Sequence, residues 1–290
     1  MTEDLKKYDF KEGLPIEFEI VNLKKVYQEH KDIVTIAHRT SFYHILWFKE
    51  GSPLHMVDFE TVKIDPNSIL FLNKNVVHRF DKSGGFDGVA IIFTDDFFCR
   101  TTADTKFLYN SILFHDLLSV SKISMTEKAS QFEHIFSLMM AELTTPNDKS
   151  QGVILKNLLH NFLLLSERER RSQGFKEIKN DANLEHVMLF KDLLENDFRS
   201  HKKVSYYAEK LLVTPKRLNR ATSTVLGLTP KEMIKDRVLL EAKRLLAYTN
   251  DSVKSIGYSL GYDEPTNFIK SFRKNTDSTP IEFREKFFSA

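Results

Sequence analysis

The period of the apolar positions changes near residue 98, and that change divides the chain. From about residue 14 to 96, β-branched and aromatic residues alternate with polar ones in short runs: Ile16 to Ile20, Phe42 to Phe48, Val62 to Ile64 and Ile69 to Leu72. Alternation of period two marks strands with one covered face. Glu50-Gly51-Ser52-Pro53, Asp65-Pro66-Asn67-Ser68 and Ser83-Gly84-Gly85 punctuate the runs. Proline fixes φ there, and glycine or asparagine admits positive φ. Many short strands at close spacing predict a small barrel or sandwich.

Beyond Phe98 the spacing becomes helical. Phe107, Leu108, Ile112, Leu113 and Leu117 form one stripe; Phe132, Ile135, Phe136, Met139 and Leu143 form a second; Ile154, Leu155, Leu158, Leu159, Phe162 and Leu165 form a third. The third helix, 150–166, carries leucine on more than one face. It can lie wholly within its own core, or set one face on the barrel and pair the other with a second copy as a homodimer. Residues 167–181 are charged, contain Gly174 and lose the periodicity, which reads as a linker. The expected organisation is a domain over 1–168, a linker over 169–183 and an all-helical domain over 184–290.

The helical domain contains a repeat. Val204-Ser-Tyr-Tyr-Ala-Glu-Lys-Leu-Leu-Val-Thr-Pro-Lys-Arg-Leu-Asn-Arg and Val253-Lys-Ser-Ile-Gly-Tyr-Ser-Leu-Gly-Tyr-Asp-Glu-Pro-Thr-Asn-Phe-Ile-Lys lie about 50 residues apart, and Thr229-Pro230 and Thr279-Pro280 follow them. Each segment spells a short helix, a tight turn, a capped start and a second helix. Ala208 and Gly257 are small where two helices approach. Thr214 caps the first second-helix ahead of Pro215, Gly261 makes the second turn, and Asp263 is the expected cap ahead of Pro265. Leu218 and Phe268 anchor the second helices, and Lys231 to Tyr248 reads as one connecting helix with Ile234, Val238, Ala242 and Leu245 inward. Two such units can present helices to successive major grooves of one duplex.

Charge sharpens this picture. The chain's 290 residues carry a net charge of only +2, but residues 202–286 hold 17 Lys and Arg against 10 Asp and Glu, so a basic back follows an acidic front. That asymmetry points to nucleic acid as the partner of the C-terminal part. Hydrophobic residues are 41% and charged residues 28%, which excludes a disordered chain. No apolar run reaches the ~18–20 residues of a membrane span, the start is acidic with no signal core, and the single Cys99 cannot form an internal disulfide. A cytoplasmic protein with no membrane partner is expected.

Residues 184–290 resemble the DNA-binding domain of the AraC/XylS family of transcription regulators. The resemblance is carried by Ser255-Ile-Gly-Tyr-Ser-Leu-Gly-Tyr-Asp-Glu-Pro-Thr-Asn-Phe-Ile-Lys-Ser-Phe-Arg-Lys, then Ser278-Thr279-Pro280 and Phe283-Arg284. Leu212 stands where the first turn usually has glycine, Gly257 where alanine is usual, and Asp277 where glycine is common. The resemblance implies double-stranded DNA and RNA polymerase as partners. It places Lys216, Asn219 and Arg220 of the first reading helix, and Thr266, Asn267 and Lys270 of the second, toward base edges. Independently, Arg and Lys suit guanine and Asn suits adenine. Arg217, Arg237, Lys254, Arg273 and Lys274 are assigned to phosphates, with an intramolecular ion pair as the other reading of Arg237 and of Arg244.

The front half resembles the family's cupin-like sensor domain through Ala37-His38-Arg39-Thr40-Ser41-Phe42-Tyr43-His44-Ile45-Leu46-Trp47, Ile64-Asp65-Pro66-Asn67-Ser68-Ile69-Leu70-Phe71-Leu72 and Val77-His78-Arg79-Phe80. The fold class expected is therefore α+β in two domains: a cupin-like β-barrel with helices, then an all-α domain of two helix-turn-helix units. Such barrels hold small ligands in the mouth, and His38, Phe42, His44, Leu46, Trp47, Phe71 and His78 are the candidate effector pocket, core packing being the other reading of each aromatic. Thr40 and His44 stand where cupin metal enzymes carry a histidine and a glutamate, so no cofactor, no metal and no catalytic residue are expected. A three-imidazole site of His38, His44 and His78 is the metalloenzyme alternative. A barrel that only dimerises, with no effector, is the second alternative.

Overall fold

A computed structural model describes residues 5–114, 120–125, 129–146, 148–175 and 182–288. The chain divides into two compact units, one of Lys6–Glu177 and one containing Ile178–Ala290. No helix among the described residues is long and apolar enough to cross a membrane.

The front unit runs β1 (Lys7–Tyr8), β2 (Phe18–Asn22), α1 (Leu23–Val34), β3 (Arg39–Thr40), β4 (Tyr43–Glu50), β5 (Leu54–Val57), β6 (Glu60–Lys63), β7 (Ser68–Leu72), β8 (His78–Arg79), β9 (Asp87–Phe93), α2 (Asp95–Phe98), α3 (Thr102–Asn110), β10 (Ser121–Ser124), α4 (Ala129–Thr144) and α5 (Gln151–Ser172). An antiparallel five-stranded sheet has the order β10-β7-β4-β9-β2, and a three-stranded sheet has the order β6-β5-β8. Strand β4 lies at the centre and is buried without a break from Tyr43 to Phe48, because both of its faces are covered. Tyr43, Ile45 and Trp47 join Ile69, Phe71, Ile91 and Phe93 in a core shared with Phe132 and Met139 of α4 and Leu155, Leu159 and Phe162 of α5. Leu46 and Phe48 point the other way, into a second core with Leu70, Leu72, Val57, Phe80 and Phe86.

Three stretches differ from the periodicity. Within the predicted strands, residues 23–34 form α1, which Asn22 caps by accepting from the Lys25 backbone N–H at 2.8 Å. Within the predicted helices, residues 121–124 form β10, whose Ser-Lys-Ile-Ser alternation pairs with β7. The first predicted stripe stops at Asn110, so Ile112 and Leu113 lie in a turn, and Leu117 lies outside the described residues. The expected linker also begins later. Helix α5 continues to Ser172 with Glu167, Glu169 and Arg170 buried, since Ser111 donates to the Glu167 carboxylate at 2.8 Å and the Arg170 guanidinium donates to the Ile112 carbonyl. Residues 176–181 of that linker lie outside the described residues.

The back unit is helical: α6 (Ala182–Asp197), α7 (Val204–Lys210), α8 (Pro215–Leu226), α9 (Pro230–Tyr248), α10 (Val253–Ser259), α11 (Pro265–Thr276) and α12 (Pro280–Phe288). One core takes a buried residue from each helix from α6 to α11: Phe190, Tyr207, Leu218, Val238, Ile256 and Phe268 are among them. The pairs α7–α8 and α10–α11 are the two predicted helix-turn-helix units. Thr214 caps α8 and Thr229 caps α9, each followed by proline at the first helical position. The second unit departs from the expected cap. Its turn is one residue longer than the first, which moves Asp263 out of the cap position and leaves Glu264 there with no side-chain cap bond.

Leu212, in the first turn, has φ of +55° and is 93% exposed. A left-handed backbone costs a residue with a Cβ ~1–2 kcal/mol, and this side chain recovers little by packing. Leu212→Gly is expected to stabilise the back unit by about 0.5–1 kcal/mol in a denaturant melt, after the entropy glycine adds to the unfolded chain. A loss of stability would contradict the assignment of strain to this turn.

Candidate nucleic-acid interface and barrel interior

Helices α8 and α11 are each held from beneath by fully buried side chains, Leu218 and Ala221 in one, Phe268 and Phe272 in the other. Their opposite faces are exposed and polar. Lys216, Asn219 and Arg220 are exposed on α8, as are Thr266, Asn267, Lys270, Arg273 and Lys274 on α11. Lys254 is exposed on α10 and Arg217 is half-buried. The Thr214 hydroxyl accepts from the Arg217 backbone N–H at 3.1 Å and so fixes where α8 starts. Each of the two faces thus offers amide and cationic donors from a rigid helix, the groups that major-groove base edges accept.

Arg237 requires a correction. Its side chain is 9% exposed, its Nε donates to both carboxylate oxygens of Glu195 at 2.7 and 2.8 Å, and a second nitrogen reaches Glu241 at 3.2 Å. Its guanidinium also lies 4.0 Å from the Phe198 ring centroid. It is an internal tie and not a phosphate contact. Glu241, wholly buried, also binds Arg199 at 2.6 Å and Arg244 at 3.2 Å.

In the front unit, the inward face of the barrel gathers histidines. The backbones of His38 and His78 pair across an antiparallel bridge, and their rings lie 4.5 Å apart. His44 from β4 meets the His78 ring edge-on at 5.0 Å, and His55 Nε2 is hydrogen-bonded to His78 Nδ1 at 3.2 Å. Phe42 lies against His44 and Phe80 against His55. His44 Nδ1, His55 Nδ1 and His78 Nε2 are buried with no hydrogen-bond partner among the described residues. Burial is the main cause that lowers all four imidazole pKa values, with neighbouring histidines adding to it at three of them; His44 and His55 fall to about 3. The cluster is uncharged at neutral pH.

His38, Phe42, His44, Leu46 and His78 of the candidate pocket therefore share one interior. Trp47 and Phe71 do not belong to it. They point to the opposite face of the sheet, where the Trp47 ring packs on Phe136 and Phe162, its Nε1 donates to Asn67 at 3.0 Å, and Phe71 packs on Phe114. His55 was missed by the sequence reading; its signal is its place two residues from Val57 on β5, which puts both on the inward face. No group of three or more His, Cys, Asp or Glu side chains among the described residues is arranged to hold a metal ion. Cys99 is half-buried, and desolvation raises its thiol pKa, so it is not a poised thiolate.

Paired helix-turn-helix units on one core, fused behind a β-rich unit with a polar interior, define a class of two-domain DNA-binding transcription regulators. Comparison with known proteins gives the family. Residues 207–286 match the profile of a "Helix-turn-helix domain" and residues 25–163 that of the "AraC-like ligand binding domain". The chain belongs to the AraC family of transcription regulators. Among its relatives is the HTH-type transcriptional activator RhaS of Pectobacterium carotovorum, 20% identical over 87% of this chain and 88% of that one. RhaS of Citrobacter koseri is 21% identical over 86% and 87%. Among solved structures, ToxT of Vibrio cholerae aligns over 93% of this chain and 97% of its own at 14% identity and a TM-score of 0.44. An AraC-type regulator of Chromobacterium violaceum aligns over 37% of this chain and 96% of its own at 23% identity and 0.34.

Proposed function

We propose that this regulator reads a specific operator through α8 and α11, with Lys216, Asn219, Arg220, Thr266, Asn267 and Lys270 at base edges and Arg217, Lys254, Arg273 and Lys274 at phosphates. The observation that carries this reading is the pair of exposed donor-rich helix faces, each backed by buried anchors in a single core. Arg220→Ala or Lys270→Ala is expected to cost about 1–3 kcal/mol on the selected operator and to relax preference at one base pair. Lys274→Ala is expected to weaken specific and random duplexes alike and to flatten the salt dependence by about one unit. Selection of genomic fragments by the purified protein, followed by salt titrations of these variants, decides the matter; equal losses on specific and random DNA for Arg220→Ala and Lys270→Ala defeat their role as base readers.

The front unit serves as effector sensor and dimerisation unit, in a protein that works in the cytoplasm, touches RNA polymerase at the promoter and performs no covalent chemistry. The effector seat is the interior of His38, Phe42, His44, Leu46 and His78, joined by His55. A ligand there acts by binding one arrangement of the protein more tightly than another. Support for the homodimer is the outer face of α5, where the large apolar side chains of Val153, Ile154 and Leu164 are left exposed. Ile154→Glu with Leu164→Glu is expected to convert a dimer to monomer in sedimentation while Trp47 fluorescence stays native; an unchanged dimer places the contact elsewhere.

A further inference from the structure

Both turns of the tandem units place a residue in the left-handed region, Leu212 at φ of +55° in the first and Gly261 at +72° in the second. A side chain is tolerated at the first. At the second, a Cβ on Gly261 would fall 1.9 Å from the carbonyl oxygen of Arg199. Close approach of another segment, and not backbone conformation alone, therefore demands glycine there. The Arg199 and Gly261 carbonyls each lie within two residues of the end of a helix, α6 and α10, where unpaired carbonyl oxygens carry partial negative charge. Lys202 supplies the cation between them. Its ammonium donates to the Arg199 oxygen at 3.2 Å and to the Gly261 oxygen at 2.8 Å, and it lies 4.9 Å from the Tyr262 ring centroid.

Both ends of this bridge are anchored. On the near side, Arg199 is held by its ion pair with the buried Glu241 at 2.6 Å, and the Tyr207 hydroxyl donates to the His201 carbonyl at 2.7 Å. On the far side, the Tyr262 hydroxyl donates to Ser271 Oγ of α11 at 3.3 Å, and its ring packs against Phe268 at 5.6 Å. A continuous path of contacts thus runs from the segment that leads into the first unit to the second reading helix. We propose that Lys202 is a positioning residue that fixes the separation of α8 and α11, and with it the operator spacing that the protein accepts. The turn it grips is the longer of the two by one residue, and so the part of the frame with the greater freedom to lose. The consequence for DNA rests on α8 and α11 being the base readers proposed above; the tie itself does not.

Pulsed-EPR distances between spin labels at Ser223→Cys on α8 and Asn267→Cys on α11 measure that separation without DNA, in full-length protein carrying Cys99→Ser and diluted with unlabelled chains. Lys202→Met keeps the stem and removes the donors. It is expected to broaden the distance distribution about twofold or more, with circular dichroism showing the variant folded. On DNA, one base pair inserted between the two half-sites moves one of them by about 3.4 Å and turns it by roughly 34°. That insertion is expected to weaken binding about tenfold or more for the wild type and only about threefold or less for Lys202→Met, a change in preference that a general loss of stability does not produce. An unchanged distance distribution in Lys202→Met overturns the proposal, and so does an unchanged insertion penalty. A wild-type protein that binds all sequences alike defeats the base readers instead, and the label distances then decide the tie on their own.

Discussion

Lowering the pH from 7 to 5 is expected to remove roughly 4 kcal/mol from the stability of the front unit through His44 and His55 alone. Both imidazoles are buried and held neutral, with pKa values near 3 in the folded state against 6.5 when exposed. The unfolded chain therefore takes up protons first as pH drops. The stability is fully present above 6.5, and it is lost as pH falls from there toward 3. Each group contributes about 1.4 kcal/mol per pH unit once well below 6.5, and His38 and His78, also lowered, act in the same direction. Trp47 is the only tryptophan and lies in the front core, so urea melts followed by its fluorescence report this unit. A midpoint that does not move between pH 7 and pH 5 contradicts the burial of the cluster. His55→Phe should remove about 2 kcal/mol of the pH dependence.

The second large effect is expected from Glu241→Ala in the back unit, a loss of about 3–5 kcal/mol. Glu241 is 0% exposed and its carboxylate joins Arg199, Arg237 and Arg244. The last two side chains are 9% and 4% exposed, so removing the acid leaves buried guanidinium groups facing one another with too little counter-charge. Circular-dichroism melts of the variant, set beside Lys274→Ala as an exposed control, measure the difference. A shift no larger than the control's means that solvent or Glu195 compensates, and that the network is not what fixes α9 against α6.

These two sites also mark what sequence could and could not yield. The paired helix-turn-helix units were legible because their signals are local: Thr214-Pro215 and Thr229-Pro230 start helices, and Leu218 or Phe268 anchors them within one turn. Which face of β4 looks into the barrel was not legible. Period two separates His44 and Leu46 from Ile45 and Trp47, but a strand covered on both sides carries the same apolar signature on each. The histidine cluster also needs pairing of β5 with β8, a contact distant along the chain. For Arg237 the second of the two readings, the intramolecular ion pair, is the one found. It shares the helical face of Ile234, Val238 and Glu241, and opposite charges along an inward stripe signal a buried tie. The late end of α5 was hidden for the converse reason, since a charged run reads as solvated until Glu167 and Arg170 find partners near Ile112.

The added residue in the second turn makes the tandem readers unlike each other. One helix begins under a threonine cap and carries Lys216, Asn219 and Arg220; the other begins beside two acids and carries Thr266, Asn267 and Lys270. A protomer built this way has a leading and a trailing end. On the proposed reading, a promoter segment gripped by both helices is gripped with a single polarity, and inverting that segment turns the DNA-binding unit around with it.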